Sequence, residues 1–188
     1  MTRKISWVIG VVSIIAPGLH WISDVLEWVN GGFTYHQLLI NYFAFVAMPF
    51  LIVGLCFVQR NSLQWYGLFG AVLYGVSFIY FSHTTLVALE NSTARYSDLW
   101  QQLGTVYTLH GGLMISGGLL FGLDSLRIRI LSRSGLAIFV FGLLLNLFVS
   151  LSTLPVSFQT LGSSMRNIGL MIVGTGIITT VSQNEENA

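Results

Sequence analysis

Leu38-Leu-Ile-Asn-Tyr-Phe-Ala-Phe-Val-Ala-Met-Pro-Phe-Leu-Ile-Val-Gly-Leu-Cys-Phe-Val58 runs for 21 residues without a charged side chain. A helix rises about 1.5 Å per residue, so a run of this length crosses a hydrocarbon core of roughly 30 Å. A helix also satisfies every backbone amide internally, which lipid demands. Five further segments have the same character, at about 5–25, 65–89, 103–126, 136–154 and 165–181. Barrel strands would instead alternate apolar and polar residues over about ten positions. The sequence therefore predicts an all-α polytopic transmembrane bundle of about six spans, a single integral membrane domain over 1–188.

Composition agrees. Hydrophobic residues make up 54% of the chain and charged residues only 8%, with a mean hydropathy of +0.76, whereas soluble domains carry about 25% charged residues. The excess apolar surface has to face lipid. The eight Lys and Arg are scattered and the net charge is +1, which argues against a nucleic-acid partner. A lone cysteine, Cys56, cannot form an internal disulfide and reads as a small hydrophobe. Thr2-Arg3-Lys4 and the apolar run after it resemble the start of a signal peptide. That run continues into Pro17, His20, Trp21 and Asp24 without a small-x-small cleavage site, so it reads as the first span.

Basic residues set the expected orientation. With the N-terminus and C-terminus cytoplasmic, Arg3, Lys4, Arg60, Arg127, Arg129 and Arg133 lie inside and only Arg95 and Arg166 outside, as the positive-inside rule requires. Trp7 and Trp65 mark the inner interface, and Trp21, Trp28 and Trp100 the outer one. The tail 182–188 is expected to be disordered. Gly111, Gly112, Gly117, Gly118 and Gly122 form a small-residue face on the fourth span, suited to close helix packing. Pro17 and Pro49 are expected to kink the first two spans. Short loops point to a prokaryotic plasma membrane. Asn91-Ser-Thr matches a glycosylation sequon on an outward loop.

The polar residues are distributed on one side. His20, His36, His83 and His110, with Asp24, Glu27, Glu90, Asp98, Gln159, Arg166 and Asn167, all fall toward the outer half. Ionisable groups within spans face a bundle interior or a water-filled cavity, so a polar cavity open to that side accounts for them together. Ser13, Pro17, His20, Asp24 and Glu27 are spaced 4, 3, 4 and 3 apart and share one helix face. Tyr107, His110, Met114, Gly117, Phe121 and Asp124 share another. Any one histidine is more commonly structural, and Glu27 reads equally well as a solvated group at a helix end.

Three chemistries fit these residues. The favoured one is a cavity for a membrane lipid or small amphiphile, bound by His20, Asp24, His83, Tyr107, His110, Arg166 and Asn167. Arg166 and Asn167 would supply donors at the start of the last span, where a helix N-terminus favours an anion. The second is a zinc or iron enzyme using His20, Asp24, His83 and His110, with Glu27 as a further carboxylate, although no HxxxH or HExxH pair is present. The third is a haem b held by His83 and His110 on adjacent helices. No cofactor is predicted from the residues themselves, and they leave catalysis open. Ser82 and His83 are sequence neighbours that point about 100° apart on a helix, so they form no dyad. A structural subunit is the remaining alternative, with Arg95, Tyr96 and Asp98 meeting a membrane protein partner or a second copy of the chain.

Leu109-His-Gly-Gly-Leu-Met-Ile-Ser-Gly-Gly-Leu-Leu-Phe121, together with Ser23-Asp24 and the chain length, resembles the uncharacterised small six-helix prokaryotic membrane proteins distantly similar to the Frag1/DRAM/Sfk1 type. Those proteins tend to carry a histidine opening the fourth span and a Ser-Asp stretch after the first. The resemblance implies a six-helix bundle and a lipid-related role, and it transfers no catalytic residue.

Overall fold

A computed structural model describes residues 3–152, 154 and 157–186. These form seven helices: α1 (Arg3–Asn30), α2 (Tyr35–Val58), α3 (Trp65–Glu90), α4 (Tyr96–Leu103), α5 (Thr105–Ile128), α6 (Arg133–Ser150) and α7 (Ser157–Glu186). No strand occurs among the described residues. All but the short α4 are long and apolar enough to cross a bilayer, α7 through Phe158–Gln183. The chain is an integral membrane protein built as an all-helical bundle.

Several boundaries differ from the sequence reading, and the reasons are physical. Helix α1 continues to Asn30, past Val25, and α7 begins eight residues before Met165. The polar residues that depress hydropathy there, Asp24 and Glu27 on α1 and Gln159, Thr160 and Ser163 on α7, face a cavity rather than lipid. A helix tolerates them on that face. The expected fourth span is broken at Gly104, whose φ of +54° suits glycine, so that α4 stands apart from α5. Helix α6 ends at Ser150 rather than 154. Pro155 lacks an amide donor and disfavours helical geometry in the residue before it. The tail expected to be disordered continues α7 as helix to Glu186, and residues 187–188 lie outside the described residues. Pro17 and Pro49 sit inside α1 and α2, which run on through them.

The six long helices close into a ring. Each packs on its neighbour in sequence, α3 meets α5 directly, and α7 returns to α1. Glycines cross at three of these seams. Gly70 on α3 faces Gly117 on α5, Gly135 and Gly142 on α6 face Gly169 and Gly162 on α7, and Gly10 on α1 faces Gly174 on α7. In lipid, where no hydrophobic effect draws helices together, such close backbone approach is the main source of packing energy. Gly118 and Gly122 also pack, against Leu143 and Tyr74 and against Val140 and Phe139. Gly111 and Gly112 depart from the expected packing face: nothing lies within 4 Å of a Cβ added at either.

Side-chain links between helices supplement the packing. Gln37 Nε2 donates to Ser23 Oγ at 2.8 Å, joining α2 to α1. Gln59 Nε2 donates to Ser125 Oγ at 3.1 Å, joining the end of α2 to α5. Interhelical hydrogen bonds in bilayers are worth about 0.6 kcal/mol on average. Gln37→Leu should therefore lower resistance to unfolding in mixed detergent by only about that amount, as read from an SDS titration.

Within the ring, the half nearer the termini is filled by Tyr74, Phe121, Phe139, Leu136, Ile52 and Leu55, each 2% exposed or less. The opposite half is hollow.

Candidate functional site

The hollow is a cavity of about 410 Å³ lined by residues of all seven helices. Its polar side is the seam between α1 and α7. On α1, His20, Asp24 and Glu27 fall on one face through their 4 and 3 spacing, and on α7 Ser163 and Arg166 do so through a spacing of three. Because the two helices pack together, these stripes meet. Ser163 Oγ donates to Asp24 Oδ2 at 2.5 Å. Arg166 Nη2 donates to Ser163 Oγ at 3.1 Å and lies 3.4 Å from His20 Nδ1. His20 Nε2 is 3.4 Å from Asp24 Oδ1. The His20 ring is clamped between Phe45, 4.7 Å away edge to face, and Phe78, at 6.1 Å.

Arg166 is the unusual member. It is 3% exposed, and its remaining partners are Met114 Sδ, 2.7 Å from Nη1, and the face of Phe78, 5.7 Å from the guanidinium carbon. A thioether is a weak acceptor. Nε has no partner among the described residues, and no carboxylate among them comes within ion-pair distance. Asp24 reaches the guanidinium only through Ser163 and His20, and a buried cation without a directly bonded counter-charge is costly. Asn146 Oδ1 on α6 and Asn41 Oδ1 on α2, both from residues on the cavity wall, are likewise unpartnered.

Toward the mouth the wall changes character. Glu27 stands one turn beyond Asp24, and no hydrogen bond or ion pair joins its carboxylate to a described residue. Near it Tyr96 and Trp100 of α4 and Tyr107 of α5 form an aromatic group, with centroids 5.3 Å apart for Tyr96 and Tyr107, 6.0 Å for Tyr96 and Trp100, and 6.4 Å for Trp100 and Tyr107. Burial holds the Tyr96 hydroxyl above its ordinary range, with Tyr107 pulling the other way and the Glu27 charge adding to the rise. Tyr96 is therefore a neutral hydrogen-bond donor at physiological pH.

One flank is open. Thr108 and Gly112 on α5 and Leu151 after α6 line the cavity and are exposed as well, Leu151 by 81%. Gly112 lies seven residues into a membrane-spanning helix, about 10 Å along its axis. The exposed part of the cavity lining thus lies between the first turns of α5 and the end of α6, within the length of a membrane-spanning helix.

The structure gathers His20, Asp24, Tyr107 and Arg166 from the expected set onto one cavity. It places the other three elsewhere. His83 is exposed. His110 is 2% exposed and stacked on Tyr80 at 4.2 Å, with Nδ1 unpartnered, and does not line the cavity. Asn167 is fully buried beside Arg166 and off the cavity wall, with neither amide atom bonded among the described residues. His20, His83 and His110 thus do not converge, and among the described residues no three His, Cys, Asp or Glu side chains come together in a group able to hold a metal. Sequence reasoning missed Ser163, which bridges Asp24 and Arg166, and Asn146. Asn146 was the findable one, because it is the single amide in the apolar run Ala137–Val149, and polar groups within spans mark interior surfaces. Comparison of the chain with protein-family models, curated proteins and solved structures gave no match.

Proposed function

We propose that this membrane protein binds a lipid or small amphiphile in the cavity, holding a phosphate or carboxylate of the ligand against Arg166. The observation that carries this reading is the Arg166 guanidinium, buried on the cavity wall with one nitrogen unpartnered and no carboxylate at ion-pair distance. Arginine presents a planar fork of donors that matches such anions in two-point contact. The flank between α5 and α6 supports an amphiphile over a purely water-soluble anion, since a tail leaving there passes directly into the hydrocarbon region.

The cavity lies at the end of the bundle opposite Arg3, Lys4 and the Arg127–Arg133 turn, and the positive-inside rule supports our reading that it opens to the outer face, with the short loops supporting a prokaryotic plasma membrane. Reporter fusions in the 129–132 turn should read as cytoplasmic; an exterior signal would reverse the orientation.

The test of binding is lipid retention. Protein purified in mild detergent should carry an anion-bearing lipid detectable by native mass spectrometry. Arg166→Gln removes the charge and the guanidinium fork while keeping a polar side chain, and should reduce occupancy at least tenfold, the effect of losing about 1.4 kcal/mol. Unchanged occupancy would remove Arg166 from the site and the proposal with it.

A further inference from the structure

The cavity carries two ionisable groups of opposite sign at two depths, and neither makes a direct ion pair among the described residues. Arg166, on the inner wall, has no carboxylate within ion-pair distance among the described residues. Glu27, toward the mouth, has no cation there. Asp24 sits between them but is engaged by Ser163 and His20. Ser163 stands between Asp24 and Arg166, so the guanidinium meets that carboxylate only through a hydroxyl and keeps Nε free of any described partner. The aromatic group of Tyr96, Trp100 and Tyr107, on α4 and α5, lines the same cavity near Glu27. Faces of Tyr and Trp attract cations, most strongly where water is excluded. The two ends of the cavity therefore ask for different ligand groups: an anion at the bottom and a cation at the mouth.

We infer that the ligand is a zwitterionic amphiphile whose phosphate meets Arg166 and whose ammonium group lies between Glu27 and the rings of Tyr96, Trp100 and Tyr107. This rests on the proposed anion site at Arg166 and adds to it the class of head group. Head-group order follows from the geometry. The group nearer the tail is the phosphate, because Arg166 Nη1 lies 2.7 Å from Met114 Sδ on α5, the helix that borders the exposed flank. The ammonium at the far end of the head points toward the mouth. A simple phosphate monoester would fill the inner end and leave Glu27 uncompensated, with a second negative charge brought near it.

The experiment uses the full chain in detergent and three lysophospholipids with one acyl chain in common: lysophosphatidic acid, lysophosphatidylethanolamine and lysophosphatidylcholine. Binding is read from Trp fluorescence and from competition in native mass spectrometry. Wild-type protein is expected to bind at least one of the two zwitterions about tenfold more tightly than lysophosphatidic acid. The choline and ethanolamine arms separate recognition by the rings from recognition by the carboxylate, since the quaternary ammonium has no hydrogen to donate. Glu27→Gln should erase the preference while leaving lysophosphatidic acid binding equal or stronger, which also shows that the variant is folded. Trp100→Ala should weaken the choline lipid more than lysophosphatidic acid. The inference is overturned if wild-type protein shows no preference for a zwitterion, or if Glu27→Gln weakens all three lipids alike. Binding of none of the three, or binding of all three unchanged in Arg166→Gln, would instead overturn the anion site itself.

Discussion

Replacing Gly142 with leucine is expected to prevent recovery of a folded monodisperse protein. A Cβ added at Gly142 would sit 2.5 Å from the Arg166 amide nitrogen, 2.6 Å from the Gly162 carbonyl oxygen and 3.1 Å from Arg166 Cα. All three are backbone atoms, so no side chain can rotate aside, and α6 has to separate from α7. Overpacking of this kind costs about 1–3 kcal/mol for modest additions and more for larger ones. Here the displaced segment also carries Arg166, so ligand capture should fail with stability. Gly142→Ala should show the smaller loss in an SDS titration. Gly112→Leu is the control: with nothing within 4 Å of its added Cβ, it should change stability by less than about 0.5 kcal/mol. Equal behaviour of Gly142→Leu and Gly112→Leu would show that the α6–α7 seam is looser than described.

The second large effect is expected at the other end of the bundle, from Asp124→Ala. Asp124 is 1% exposed. Its Oδ2 accepts from the Gln64 amide at 2.8 Å, and its Oδ1 from Arg127 Nε at 2.9 Å. Gln64 immediately precedes α3, so a carboxylate on α5 stands in for the missing side-chain cap of that helix and meets the positive end of its dipole. Hydrogen bonds to a charged acceptor contribute about 1.5–3 kcal/mol. The loss should fall in that range, measured as a shift in the unfolding midpoint in detergent. Arg127 is half-exposed and adds little that solvent does not supply. Asp124→Asn keeps the acceptor oxygen and should lose less. A neutral result for Asp124→Ala would show that the α3 terminus is satisfied by solvent.

The membrane bundle was legible because lipid imposes a coarse rule: about 20 apolar residues in succession read as a span whatever they pack against. The same rule misplaced the start of α7. Gln159, Thr160 and Ser163 lower the hydropathy of its first turns, and only the cavity makes them tolerable. Of the candidate site, the α1 stripe of His20, Asp24 and Glu27 could be read from spacing alone, since residues three and four apart share a face. Convergence between helices could not. His110 lies in the same half of the bundle as His20 but turns toward Tyr80, and nothing in a one-dimensional pattern records the rotation of one helix against another. Gly111 and Gly112 show the same limit. They resemble Gly117 and Gly118 in sequence, yet the first pair borders open space and the second is clasped by neighbouring helices.

The contact of α7 with α1 has a consequence for biosynthesis. As the ribosome delivers helices in order, α1 enters the bilayer with Asp24 and Glu27 long before Ser163 and Arg166 emerge. Until α7 docks, the nascent barrel of helices has an unsealed edge and Asp24 lacks its serine partner. Helix α7 supplies both the keystone and the hydroxyl that engages Asp24 in one insertion event. A chain halted after Ser150 should therefore be handed to quality-control proteases rather than persist as a five-span product.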